Sequence, residues 1–309
     1  MLSRIAESLY WLGRYIERAE DTARILDVHY HLLLEDLWVD EASACRALLE
    51  IMGVGQRPHL PCDSPTVTRL LAFDAEYAGS IMGSITAAWH NARGAREAVS
   101  SEMWECLNAT YLNLPVQASV AADEAPHAFF GWIKERAAIM AGLADATLSH
   151  DDGWRFLVLG RSLERVDMTA RLLSARYGEA WGRSGWITTL RCCSAYEAYL
   201  RTYRRAVDAS LAAEFLLLDR LFPRSVFCAL STAEARMVEL DPSAHRSGLG
   251  DEARRLLGRA RTLLEFRSPP ELLNDLPSHL ADVQADCAAA GAAIAHRFFR
   301  QTAAIAWSA

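Results

Sequence analysis

A fifteen-residue segment occurs twice in this chain. Residues 12–26 read LGRYIERAEDTARIL and residues 159–173 read LGRSLERVDMTARLL, an offset of 147 with nine of fifteen positions identical. A second echo follows at nearly the same spacing: Asp74 with Ser80 and Ile81 answers Asp219 with Ser225 and Val226, an offset of 145. Matches at nearly one offset point to duplication of a unit of about 150 residues. A fold for this chain must therefore offer two like segments two like environments. The apolar positions say of what kind. Leu12, Ile16, Ala19, Ala23 and Leu26 return at three- and four-residue steps, which is one stripe of an α-helix.

The same periodicity continues along the chain. It predicts helices over residues 2–36, 41–52, 76–111, 127–148, 184–207, 209–219, 223–240, 251–266 and 277–300. A further helix is capped by Asp151-Asp152 and ends before Gly178, and Ser64-Pro65 reads as a helix start. Glycines and prolines mark loops over 53–64 and 113–126. The first helix, unbroken by proline, would run about 50 Å. Alternating strand patterns bounded by turn dipeptides are missing. The composition, 51% hydrophobic with 10 prolines and 17 glycines in 309 residues, suits an ordinary globular chain of long helices. The expected fold is all-α: a large multi-helix bundle of about ten helices with long antiparallel packing, built from two diverged repeats. Residues 1–309 are expected to form one domain of interlocked pseudo-repeats, about 1–147 and 148–309.

Several function classes are disfavoured at this level. A formal net charge of −7 gives no support to nucleic-acid binding through phosphate neutralisation. Charges interrupt the first 26 residues every few positions, so no apolar leader is expected there. The longest uncharged apolar stretch, 287–295, is far short of the ~20 residues that span a bilayer, so no membrane span is expected. The seven cysteines form no C-x-x-C pair and no zinc-finger spacing, which suits reduced thiols in the cytoplasm. A carboxylate-bridged metal site in a bundle needs Glu-x-x-His on two helices. That spacing occurs at Glu124 and His127, with Pro126 inside it, so no metal is expected. His29 and His31 point to different helix faces, one to the core and one to the surface. Gly53-Val54-Gly55 lacks the third glycine of a nucleotide loop, and no cofactor is expected.

The repeated residues themselves carry the candidate site. Gly13, Glu17, Glu20 and Arg24 share one helical stripe, and Gly160, Glu164, Asp167 and Arg171 form the matching one. Arg14 and Arg18, with Arg161 and Arg165, line the neighbouring angle. These residues are kept between the copies while Tyr15 pairs with Ser162 and Asp21 with Met168, so the stripes are expected to face a partly buried interior. A buried charge without a partner is costly, so acids and arginines there should pair. A third polar cluster lies at 90–108, where His90, Arg93, Glu97, Ser100 and Trp104 would share a helical stripe, with Asn91, Arg96, Glu102 and Asn108 nearby. It is expected to pack against the Glu–Arg helices and complete a network.

Three readings of these residues stand side by side. In the first, the network fixes helix register. In the second, surplus guanidinium groups from Arg14, Arg18, Arg93, Arg96, Arg161 and Arg165 hold a carboxylate or phosphate of a ligand or peptide. In the third, Glu17 or Glu164 is a base whose pKa burial raises, in a solvent-reachable pocket. Nearby arginines oppose that last reading by holding carboxylates ionised.

The N-terminal run LSRIAESLYWLGRYIERAEDTAR resembles the opening of the bacterial alpha-E family, a helical domain named for its Glu-Arg motif. NARGAREAVSSEMWECLN, GWRFLVLGRSLERVDMTARLL, LLLDRLFPRSVFCAL and the late HRFF are similar to the family pattern too, so the likeness spans nearly the whole chain. His90 departs from it, standing where an acidic or polar residue precedes the NAR run. The resemblance implies a setting rather than a catalytic residue. Family members are encoded beside, or fused to, circularly permuted ATP-grasp proteins, with transglutaminase-like peptidases and predicted amidases in the same neighbourhoods. ATP-grasp enzymes join carboxylates to amines through acyl phosphates. The resemblance thus implies an accessory or binding protein acting with an ATP-grasp ligase in peptide or amide ligation. The alternative is an enzyme processing an amino-acid or peptide derivative at a Glu/Arg-lined pocket between the repeats.

Overall fold

In the computed structural model of the chain, residues 2–36, 38–55, 60–123, 126–177, 185–242 and 250–299 are described. All the regular structure among them is helical, with fourteen α-helices rather than about ten. Two long helices form the centre, α1 (Ser3–Glu35) and α7 (Asp152–Tyr177). The predicted stripe of α1 is the one it buries: Leu12, Ala19 and Ala23 are fully covered, and Ile16 and Leu26 nearly so.

Each central helix carries followers in the same order. Around α1 lie α4 (Ile81–Gly94), α5 (Ser101–Asp123) and α6 (Pro126–Thr147). Around α7 lie α11 (Val226–Leu240), α12 (Glu252–Phe266) and α14 (Leu276–Phe298). Helix α4 packs on α1, α6 packs on α1, and α5 packs on both α4 and α6. Likewise α11 packs on α7, α14 packs on α7, and α12 packs on both α11 and α14. Smaller helices fill the remaining surface: α2 (Glu41–Ile51), α3 (Ser64–Thr68), α8 (Gly185–Cys192), α9 (Tyr196–Tyr203), α10 (Ala209–Leu218) and α13 (Pro269–Asn274). Buried apolar side chains from the elements of both halves join in one continuous cluster.

The second sequence echo proves to be a helix start. Ser80 Oγ accepts from Gly83 N at 2.8 Å and donates to the Asp74 carbonyl at 2.6 Å, while Asp74 Oδ1 accepts from Glu76 N and Tyr77 N. Ser225 Oγ accepts from Cys228 N at 3.1 Å and donates to the Asp219 carbonyl, while Asp219 Oδ1 accepts from Leu221 N and Phe222 N. The same Asx turn and serine cap thus begin α4 and α11.

Three expectations about helix extent need correction. The span 76–111 is not one helix: α4 ends at Gly94, a 3-10 turn covers Arg96–Ala98, and Val99 is extended. Ser100 then starts α5 by accepting from Met103 N, so its hydroxyl competes successfully with helix continuation. The loop expected over 113–126 is helical through Asp123, with Pro115 inside the helix. An interior proline costs about 3 kcal/mol; burial of Leu114, Ala118 and Ala121 offsets it. The span 184–207 is two helices, separated at Ser194, whose φ of 56° takes the chain out of helical geometry. Position 184, the expected start, lies outside the described residues, as do parts of the loop over 53–64 and the end of the helix at 300. No helix among the described residues is long and apolar enough to cross a membrane.

Candidate functional site

The site starts from a close approach of two backbones. A Cβ on Gly13 would stand 2.1 Å from the Leu157 carbonyl oxygen, and one on Gly160 would stand 2.0 Å from that of Tyr10. Any side chain at either position would hold α1 and α7 apart. One helical turn further on, the short separation lets each glutamate meet the opposite helix.

The resulting contacts are reciprocal. Arg165 donates to Glu17 through Nε at 2.6 Å and Nη2 at 3.0 Å. Arg18, its counterpart, donates to Glu164 through Nε at 2.6 Å and Nη2 at 3.1 Å. Both are side-on bidentate pairs, the strongest guanidinium–carboxylate geometry. Arg14 adds a third bond to Glu164 from Nε at 2.7 Å. Glu17 and Glu164 are each only 2% exposed. Burial by itself would push both carboxyls up, but Arg165 and Arg224 at Glu17, and Arg14 and Arg18 at Glu164, outweigh it and hold both below the ordinary range. Both side chains are therefore ionised and covered.

The flanking residues are less alike. Arg24 pairs with Glu20 at 2.5 Å, and Arg171 with Asp167 at 2.9 Å, each one turn apart on its own helix. Gln284 of α14 also donates to Asp167 at 3.2 Å. Arg161 matches Arg14 in sequence but turns to Asp145 of α6 at 3.6 Å. Burial and the neighbouring Arg165 lower its pKa, and Asp145 offsets this only in part.

Sequence reasoning missed Arg224. It stands in the loop before α11, where its Nη2 lies 3.1 Å from Glu17 and 2.6 Å from Glu20, and its Nε 3.5 Å from Asp21. It meets these acids by proximity of charge rather than by aligned hydrogen bonds. Burial pushes Asp21 well up, Glu17 and Glu20 add to that, and Arg224 opposes it. A signal was present: Arg224 falls between the echoed Asp219 and Ser225, where the first copy has Gly79 between Asp74 and Ser80.

The third cluster does not join the network. Among the described residues, the ion pairs to Glu17 and Glu164 come from Arg14, Arg18, Arg165 and Arg224. Arg93, Arg96 and Glu97 are exposed. Arg93 lies over the Trp89 ring at 4.7 Å, and Arg96 lies near Trp104 and donates to the Val99 carbonyl. The Asn91 amide donates to the Ala87 carbonyl of its own helix. The break after Gly94 removes the single helical face that would have aligned these side chains.

A void of about 20 Å³ borders Glu17, Glu20 and Arg161. That holds about one water. Larger clefts lie elsewhere, one of about 390 Å³ beside His296 and Arg297 and one of about 240 Å³ beside Arg136. No cluster of three or more His, Cys, Asp or Glu suited to a metal occurs among the described residues. His29 is buried with Nε2 3.8 Å from Cys45 Sγ, whereas His31 is exposed and bonds the Asp27 carbonyl.

These features define an all-helical domain centred on two glycine-apposed helices that exchange buried Glu–Arg pairs. The chain belongs to the Alpha-E family, described as a predicted alpha-helical domain with a conserved ER motif, whose model matches residues 1–299. Curated relatives include uncharacterized proteins of Mycobacterium bovis and Mycobacterium tuberculosis strain CDC 1551. Each is 25% identical over 294 residues, covering 87% of this chain and 33% of the relative. An uncharacterized protein of M. tuberculosis strain H37Rv is 24% identical with the same coverage. The chain thus spans about a third of the length of the curated relatives it matches. No solved structure matches it.

Proposed function

We propose that the chain is an accessory, binding domain that acts with an ATP-grasp ligase in a peptide- or amide-forming pathway, and that its Glu–Arg centre is a clamp rather than a reaction site. The observation that carries this is the seal over Glu17 and Glu164, each 2% exposed and each held by two arginines. A general base must touch the reacting atom and change protonation near the working pH. Covered carboxylates held ionised by guanidinium groups do neither. The adjoining void, at about 20 Å³, has no room for an amino-acid derivative.

The ligase partnership rests on the family resemblance, with a transglutaminase-like peptidase as a second partner class. Relatives about three times as long suit a module joined to other parts. We further propose that the domain is two diverged copies of one helical unit. The parallel packing of α1, α4, α5 and α6 with α7, α11, α12 and α14 supports this, as do the reciprocal Glu17–Arg165 and Glu164–Arg18 pairs. Seven free thiols support a reducing compartment, the cytoplasm.

The test is co-expression with an ATP-grasp ligase from the same organism. Co-elution on size exclusion and recovery in a pull-down are expected. Absence of complex in both would overturn the partnership.

A further inference from the structure

Arg136 of α6 is placed unlike the arginines of the centre. Arg14, Arg18, Arg24, Arg165, Arg171 and Arg224 each stand close to a carboxylate. The half-buried Arg136 instead donates from Nη2 to the Cys106 sulfur at 3.0 Å, and its Nε is buried without a partner. Among the described residues no carboxylate pairs with it. A thiol sulfur is a weak acceptor, so most of this guanidinium's donor capacity is unspent. A covered donor left so is costly unless something completes it.

The groove around it has the chemistry to complete it. Its volume is about 240 Å³, between α5 and α6, and its lining is Ala109, Thr110, Asn113, Gln117, Trp132 and Arg136. None of these is acidic. Asn113, which lines the groove, donates one amide hydrogen to the Ala109 carbonyl at 2.8 Å, and its Oδ1 is a separate acceptor that this bond does not use. Gln117 supplies a second carboxamide one turn on, and the half-buried Trp132 a flat apolar wall. One planar cation, two carboxamides and an aromatic face suit a carboxylate with a peptide N–H beside it. The volume is below the ~300–1,000 Å³ of drug-sized sites, which suits the end of a chain rather than its middle.

We infer that the α5–α6 groove binds the C-terminal carboxylate of a peptide, with Arg136 holding the carboxylate, Asn113 and Gln117 the terminal amide, and Trp132 the last side chain. The inference concerns the chain alone and does not require the ligase partnership, so either can fail without the other.

The test uses the full chain and three probes: a mixture of random tetrapeptides with free carboxyl ends, the same mixture amidated, and inorganic phosphate. Saturation-transfer NMR reports binding, and the Arg136 Nε–H resonance reports its place. The free acids are expected to bind and shift that resonance. The amides should bind about 10-fold more weakly or worse, as loss of a charge-assisted bond implies. Arg136→Gln should lose the binding. Asn113→Asp, a change at an exposed position, should lose it too, because it sets a competing carboxylate beside Arg136 while leaving the helices folded. Equal binding of amides and acids, binding that survives both substitutions, no binding of the acids, or equal competition by phosphate would each overturn the inference.

Discussion

Arg224 meets Asp21 at 3.5 Å, and the positions that match them in the sequence repeat, Gly79 and Met168, carry no charge. Asp21 and Glu17 are buried around the same guanidinium, so Arg224→Gly leaves Glu17 with Arg165 alone and takes away the cation beside Asp21, and should destabilise by about 3 kcal/mol or more. Adding Asp21→Met, which puts at both positions the residues of the matching positions Gly79 and Met168, should return part of that loss. Chemical denaturation of the two single variants and the double variant measures the coupling, expected at about 0.5–3 kcal/mol. Strict additivity would show that the pair does not interact.

Gly13 and Gly160 should tolerate no side chain. Alanine in a helix interior is ordinarily about 1 kcal/mol better than glycine. Here its Cβ would stand about 2 Å from a backbone oxygen that no rotamer change can move. Gly13→Ala and Gly160→Ala should therefore each lower stability, by about 1–3 kcal/mol or more. The sign is the test: a rise in the thermal midpoint of either variant would mean that the helices are not in contact there.

The central pairs should matter far more than their neighbours. Glu164→Gln removes the charge that holds Arg14 and Arg18, and should cost about 3 kcal/mol or more. Asp167→Asn, three residues on, touches a pair that is 25% and 35% exposed, and should cost about 1 kcal/mol at most. Urea midpoints of the two variants compare them directly.

His29 makes stability depend on pH. Burial pushes its pKa down to about 4, with Glu41 opposing slightly, against about 6.5 in the unfolded chain. Between those values the unfolded state takes up a proton that the folded state refuses. Stability therefore falls as pH drops from about 6.5 toward 4, by up to about 3 kcal/mol from this group. His29→Leu, which gives up the 3.8 Å contact to Cys45 Sγ at every pH, should flatten that part of the thermal-midpoint profile. An unchanged slope between about pH 7 and pH 4 would count against it.

The long helices could be read from local pattern, because a three- and four-residue apolar step needs no knowledge of the partner. That is why α1 and α7 lie close to their predicted spans and why the pattern alone turns Leu12, Ala19 and Ala23 inward. The likeness of residues 12–26 to 159–173 marks which polar residues face inward as well, Glu17 and Glu164 among them. Two kinds of feature escaped. At Pro115 the burial of α5 overrides the proline's local preference for a loop, and at Ser100 a capping hydroxyl interrupts the helical periodicity. Arg224, distant in sequence from Glu17 and Glu20, is brought to them by the loop before α11. Periodicity assigns each side chain to a face of its own helix. Which carboxylate a guanidinium meets depends on how closely two backbones approach, and at Gly13 and Gly160 that distance exists only once α1 and α7 are packed together.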